Sequence, residues 1–254
     1  CCEIIGNGIN GFKYKKNLVI DAKNSGTLGR LILGLLIKTS NKVKIIGDKS
    51  LSKRDFSRVT LPLKKFGVKF FYKRKNKLPL SILGTQSPIG INYLENKGSA
   101  QCKSSVMLAA LNASGTTSIK ARKSRNHSEL LFKYLKIPIE VKKTKKFDFI
   151  NIKKPKRIKA FNYQIPGDIS SAAFFMVLTT LAPDSKLLIK NVNINPSRIG
   201  VITILKKMGA EILLKNQKNY RGEKISDILV KSSKNLKSIN CPIELNSSAI
   251  DEFL

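Results

Sequence analysis

Four times along the chain, small polar residues open an apolar run with helical spacing: NSGTLGRLILGLLI from Asn24, SAQCKSSVMLAAL from Ser99, SSAAFFMVLTTL from Ser170 and SSAIDEFL from Ser247. Ser25, Ser99, Ser170 and Ser247 stand 74, 71 and 77 residues apart. The first three runs are each followed by a short strand pattern: KVKIIG from Lys42, TTSIKA from Thr116 and KLLIKNV from Lys186. Each strand enters a loop with one arginine, Arg54, Arg125 or Arg198. A second helix (FSRVTLPLKKFG, HSELLFKYLKI, IGVITILKKMGA) and another strand (VKFFYKR, IPIEVKK, AEILLKN) complete the pattern. Two-strand stretches (EIIGNGINGFKYKKNLVIDAKNSG, LSILGTQSPIGINYLENKGSAQ, DILVKSSKNLKSINCPIELNSSA) lead into the next helix. A period of about 73 residues is too long for the common solenoids and predicts a repeated α/β subdomain.

Two segments interrupt the period. Lys142 to Lys159 carries nine basic residues and one acid, and the alternation in FDFINI predicts a solvated hairpin there. Pro166-Gly167 breaks the chain just before the third apolar run, which predicts a first domain over 1–165 and a second over 166–254. Gly6, Gly8 and Gly11 match GxGxxG, but FKYKKNLVI after them reads as a strand and no acid follows at the required distance. A glycine-rich hairpin is expected instead.

Composition changes the picture in three places. The chain has 254 residues, enough for one large or two ordinary domains, and its longest apolar run, near Ala172 to Ala182, is far short of the roughly 20 residues that span a bilayer. Its net charge is +32, from 39 Lys and only 9 Arg against 16 acids, the bases spread through the chain. Tryptophan is absent and aromatics make up 7%, so the stacking platforms of a nucleic-acid binder are not evident. Cys1, Cys2, Cys102 and Cys241 show no metal-ligand spacing, and a reducing, cytoplasmic compartment is expected. The chain starts at Cys1 and stops within an expected element, so a piece of a longer protein is expected.

Candidate chemistry follows from the repeat. Asn24-Ser25-Gly26-Thr27 opens a helix, so backbone N–H groups and the positive end of the dipole face outward beside hydroxyls. Ser99-Ala100-Gln101 and Ser170-Ser171 repeat the device, and Arg54 and Arg125 offer bidentate forks for phosphate or carboxylate.

With those residues in view, the chain resembles the 5-enolpyruvylshikimate-3-phosphate synthase family. The resemblance rests on DAKNSGTLGRLILGLL, GDKSLSKRDFSRVTLPLKKFG, SAQCKSSVMLAAL, KSRNHSELL, PGDISSAAFF, NPSRIGVITILKKMGAEI and IDEF, which follow one another in family order over nearly the whole chain. It implies an α/β fold, the inverse α/β barrel of the enolpyruvyl transferases, with repeated βαβαββ subunits in two domains and the active site between them. It implies transfer of the carboxyvinyl group of phosphoenolpyruvate to the 5-hydroxyl of shikimate 3-phosphate, with release of phosphate and without metal or organic cofactor. Both partners are small molecules; no nucleic acid, no membrane and a monomeric full-length protein are expected.

By the same resemblance Gly26, Arg54 and Gln101 contact phosphoenolpyruvate. Ser99, Ala100, Gln101, Ser124 and Arg125 hold shikimate 3-phosphate, and Asp251 is the acid/base at a helix start, also beside that substrate. Asn24, Thr27 and Arg30 support the cradle, and Asp168 and Ser170 shape the region near the cleft. Asp55 stands where the family usually has Pro, and the family's terminal substrate-binding basic motifs are absent, so this chain alone is not expected to turn over. The lone histidine, His127, is expected to cap or pack at a helix start. The related UDP-N-acetylglucosamine enolpyruvyl transferases are the alternative; they carry a reactive Cys in a mobile loop, whereas Cys102 falls in an apolar helix and Cys241 in an expected NCPIEL strand. A basic nucleic-acid-binding protein is the alternative of another class.

Overall fold

A computed structural model describes residues 2–6, 8–10, 12, 14 and 16–252. They form two compact units, one of residues 1–123 and 135–159 and the other of 124–134 and 160–254.

The first unit holds two four-stranded sheets of identical topology. In the first, β1 (Val19–Asp21), α1 (Gly26–Leu35), β2 (Val43–Ile46), α2 (Ser57–Lys64), β3 (Lys69–Tyr72) and β4 (Leu80–Leu83) give the strand order β1-β2-β4-β3. The β1-β2 pair is parallel and the other two are antiparallel. In the second, β5 (Asn92–Glu95), α3 (Ala100–Ala110), β6 (Thr116–Arg122), β7 (Ile139–Lys143) and β8 (Phe147–Lys153) repeat this as β5-β6-β8-β7, again with only the first pair parallel. The basic segment from Lys142 supplies the end of β7 and all of β8, a hairpin as its alternation predicts, but Asp148, Ile150 and Ile152 are buried where a solvated hairpin is expected, and 154–159 lies outside the strands.

The starts of α1 and α3 are set by hydroxyls. Ser25 Oγ accepts from the Leu28 N–H at 3.1 Å and Ser99 Oγ from the Cys102 N–H at 3.3 Å, each satisfying an orphan donor of the first turn. The two helices cross closely because small residues meet. A Cβ on Gly34 would lie 2.1 Å from the Ser105 carbonyl oxygen, and Ser105 Oγ donates to the Arg30 carbonyl at 2.8 Å. Leu33, Ile37, Val59, Leu63, Val106 and Met107 are fully buried among these helices and sheets.

The second unit repeats the pattern a third time. α5 (Ile169–Leu181), β9 (Lys186–Asn193), α6 (Gly200–Lys207), β10 (Glu211–Tyr220) and β11 (Glu223–Lys231) form a sheet ordered β10-β11-β9. The strand that should lie parallel to β9 survives as one bridge, Gly167 to Val192. Ile169, Met176, Val192, Val201, Ile212, Ile228 and Val230 make its core. The cap of α5 is Asp168, which accepts from the Ser171 N–H at 3.1 Å, two residues ahead of the expected Ser170. α5 is apolar all round: Ala172, Ala173 and Met176 are buried, while Phe174, Phe175, Leu178 and Leu181 are 56 to 70% exposed.

One helix is not where its sequence neighbours are. α4 (His127–Tyr134) follows β6 yet belongs to the second unit. Arg221-Gly222, both left-handed, form the two-residue turn between β10 and β11. A Cβ on Gly222 would stand 3.0 Å from the Leu130 carbonyl oxygen, and the Arg221 guanidinium lies over the rings of Tyr134, Tyr163 and Tyr220. That packing ties α4 to the hairpin.

Three local expectations are corrected. No strand occurs among the described residues before Val19; Gly8–Asn10 is a 3-10 turn, and Gly11 lies outside the described residues. Cys241 is in irregular chain before a 3-10 turn, Ile243–Leu245, because Pro242 removes a strand donor. The last run is only α7 (Asn246–Ala249) and a 3-10 turn, Ile250–Glu252, so Asp251 follows a short helix and does not open one.

Candidate active site

In the first unit the start of α1 gathers positive charge. Gly26 is its first residue, and a Cβ there would stand 2.7 Å from Arg30 Nη1 and 3.2 Å from Arg54 Nη1. Only glycine leaves that space open. Arg30 lies one turn along α1, where its guanidinium rests 5.5 Å from the centre of the Phe56 ring. Arg54 ends the 3-10 turn Leu51–Lys53 that follows β2. Burial, then the positive charges of Arg54 and Arg58, pull Arg30 below its ordinary value, and it remains a cation at neutral pH. Among the described residues neither Arg30 nor Arg54 forms an ion pair.

Gln101 is locked between two neighbours of this cluster. Its Oε1 accepts from Arg30 Nη1 at 2.6 Å and its Nε2 donates to Thr27 Oγ1 at 2.9 Å. Gly26, Thr27, Arg30, Arg54 and Gln101 are therefore brought together, with Ser99 and Ala100 at the start of α3 beside Gln101 and the exposed Asn24 just ahead of the Ser25 cap. Asp55 is turned away to begin α2. Its carboxylate accepts from the Ser57 N–H at 2.8 Å and the Ser57 hydroxyl at 2.6 Å, bonds that hold it below the usual carboxylate range. The cradle thus keeps its positive charge despite the acid next to Arg54.

In the second unit Ser124 and Arg125 precede α4. The Ser124 hydroxyl oxygen is buried and has no hydrogen-bond partner among the described residues. Arg125 Nη2 pairs with Asp251 Oδ2. Arg198 Nη2 lies 3.9 Å from the same oxygen, 3.2 Å from Asp168 Oδ1 and 3.9 Å from Glu252 Oε1, and donates to Ser170 Oγ. Ser170 in turn donates to Glu252.

His127 packs at the start of α4 with Nδ1 2.5 Å from Glu223 Oε1, while Asn195 Nδ2 donates to Glu223 Oε2 at 3.0 Å and to Asn126 Oδ1 at 2.9 Å. Burial works against the Glu223 carboxylate, but the bonds from His127 and Asn195 outweigh it and hold the group below its ordinary value. Sequence reasoning missed Glu223 and Asn195, which nothing in the local pattern marks. It singled out Arg198 as the third loop arginine without assigning it a part.

The arrangement offers an anion cradle of two unpaired guanidiniums at a helix start, and a half-exposed carboxylate held by a third. A family model described as EPSP synthase (3-phosphoshikimate 1-carboxyvinyltransferase) matches residues 2–245. The chain is 45% identical over 251 residues to the 3-phosphoshikimate 1-carboxyvinyltransferase of Ruthia magnifica subsp. Calyptogena magnifica, covering 98% of this chain and 56% of that protein. It is 42% identical over 252 residues to the protein of that name from Hydrogenovibrio crunogenus, with the same coverage. Among solved structures it superposes on EPSP synthase from Acinetobacter baumannii with a TM-score of 0.85 at 38% identity, covering 98% of this chain and 56% of the other. The chain thus spans a little over half the length of the curated relatives it matches.

Proposed function

The chain belongs to the EPSP synthase family, and on that footing we propose that its residues serve enolpyruvyl transfer from phosphoenolpyruvate to shikimate 3-phosphate. Gly26, Arg54 and Gln101 bind phosphoenolpyruvate, with Asn24, Thr27 and Arg30 shaping the cradle. Ser99, Ala100, Gln101, Ser124 and Arg125 bind shikimate 3-phosphate. Asp251 accepts the proton of the attacking 5-hydroxyl as it adds to C2 of phosphoenolpyruvate; C3 gains a proton, and phosphate leaves from the tetrahedral intermediate. The observation that carries this reading is the pair Arg30 and Arg54 gathered at Gly26, neither of them in an ion pair among the described residues. We further place the family's domain boundary at 165/166, and propose a monomeric cytoplasmic protein, the free thiols of Cys2, Cys102 and Cys241 favouring a reducing compartment.

The test is phosphate release by the full-length protein. Release should require both phosphoenolpyruvate and shikimate 3-phosphate, and UDP-N-acetylglucosamine should not replace the latter. Arg54→Lys should raise the KM for phosphoenolpyruvate far more than that for shikimate 3-phosphate, because a point charge replaces a planar fork. Equal loss for both substrates would remove Arg54 from the assigned contact.

A further inference from the structure

The loop arginine recurs three times, and Arg198 is the member the proposed reaction leaves unused. Its setting differs from that of Arg54 in one respect. Both guanidiniums stand at the first turn of the preceding helix of their repeat, Arg54 beside Gly26 and Arg198 on Ser170. At α1 no carboxylate forms an ion pair with the arginine among the described residues. At α5 three do: Asp168, Glu252 and Asp251. The chain itself supplies the anions that the first repeat leaves to a ligand.

This places two cations on one oxygen. Asp251 Oδ2 is paired with Arg125 and lies 3.9 Å from Arg198, whose other contacts are Asp168, Ser170 and Glu252. Arg125, from the segment before α4, and Arg198, from the loop before α6, are thus the cations that meet Asp251 among the described residues, while the start of α5 and the turn holding Glu252 engage Arg198. The Arg125 side chain is 33% exposed, and a substrate phosphate or carboxylate competes with Asp251 for its fork. Arg198 is 16% exposed and anchored on the protein's own acids, so the substrate does not draw it off. We propose that Arg198 is a positioning residue that keeps Asp251 aimed after shikimate 3-phosphate has taken Arg125, so that binding of the substrate itself releases the base. The proposal rests on the reading of Asp251 as proton acceptor.

The test uses the full-length enzyme with Arg198→Met, which removes the charge and keeps the length, and Arg198→Lys, which restores the charge. A misaimed base should lower kcat by roughly tenfold to a hundredfold, with the KM for shikimate 3-phosphate nearly unchanged. Arg198→Lys should restore most of kcat, because an ammonium still holds the Asp251 carboxylate. If Arg198→Met fails to fold, Arg198→Gln is read by the same split of kcat from KM. An unchanged kcat with a lowered melting temperature, or a kcat that Arg198→Lys does not recover, would make Arg198 a strut and overturn the proposal. Asp251→Asn separates the two readings: normal turnover there removes Asp251 as the base, whereas collapsed turnover beside an indifferent Arg198→Met removes only the positioning role.

Discussion

At the scale of single residues, Gly26 and Asp251 are positions where the proposed chemistry can be separated from folding. Alanine is the better helix former by about 0.5 to 1 kcal/mol, so Gly26→Ala should leave the melting temperature unchanged or slightly raised. Its methyl would nevertheless meet Arg30 Nη1 at 2.7 Å and displace the cradle. Titration of the full-length enzyme should show a raised KM for phosphoenolpyruvate; an unchanged KM would put Gly26 outside the pocket. Asp251 follows α7 and caps no helix start, and its carboxylate is about half exposed. Losing a solvent-exposed ion pair costs at most about 1 kcal/mol, whereas losing a general base slows turnover by about 10² to 10⁴. Asp251→Asn should therefore retain the fold and the affinity for shikimate 3-phosphate while kcat collapses. A variant that melts early but turns over normally would contradict the role.

Among elements, α4 shows most clearly what holds a segment of the proposed site in place. Its start presents Ser124 and Arg125, and its register depends on His127 meeting Glu223 with Asn195 behind. Glu223 titrates lower in the folded protein than its ordinary 4.5, so its stabilisation is fully present above that pH and is lost as pH falls through the lower folded value. Glu223→Gln should cost about 1.5 to 3 kcal/mol at neutral pH, the range for a hydrogen bond to a charged group. It should also flatten the loss of stability on acidification below about pH 4.5. Denaturant melts at pH 7 and pH 4 check this, and equal destabilisation at both would contradict it. The elements legible in the sequence were those specified locally. The caps Ser25 and Ser99, the apolar periods of α1, α3 and α5, and the strands after them are written in neighbouring residues. Elements set by distant partners were not legible. Nothing near residue 130 announces that α4 packs on a turn at 221–222, and nothing near Gly167 shows that its strand shrinks to one bridge. The site divides the same way: Gly26, Arg54 and Gln101 lie in recurring motifs, while Glu223 and Asn195 gain their parts only from the fold.

For the whole molecule, three copies of one strand order, the third with its parallel pair reduced to one bridge, account for the period of about 73 residues. Charge acts at this scale too. At +32 each molecule repels its copies, and in dilute buffer that repulsion reaches across the uncovered side of α5, where Phe174, Phe175, Leu178 and Leu181 face outward. Salt shortens the reach, to about 10 Å at 0.1 M and about 3 Å at 1 M, without weakening apolar contact. The colloidal behaviour of this chain should therefore run opposite to ordinary salting-in: clear and monodisperse at low ionic strength, and sticky through one helix as salt is added. Light scattering across a sodium chloride series should show the particle radius growing, and Phe174→Ser with Leu178→Ser should abolish the growth. Aggregation indifferent to salt, or unchanged in that double variant, would show that some other surface governs how these molecules meet.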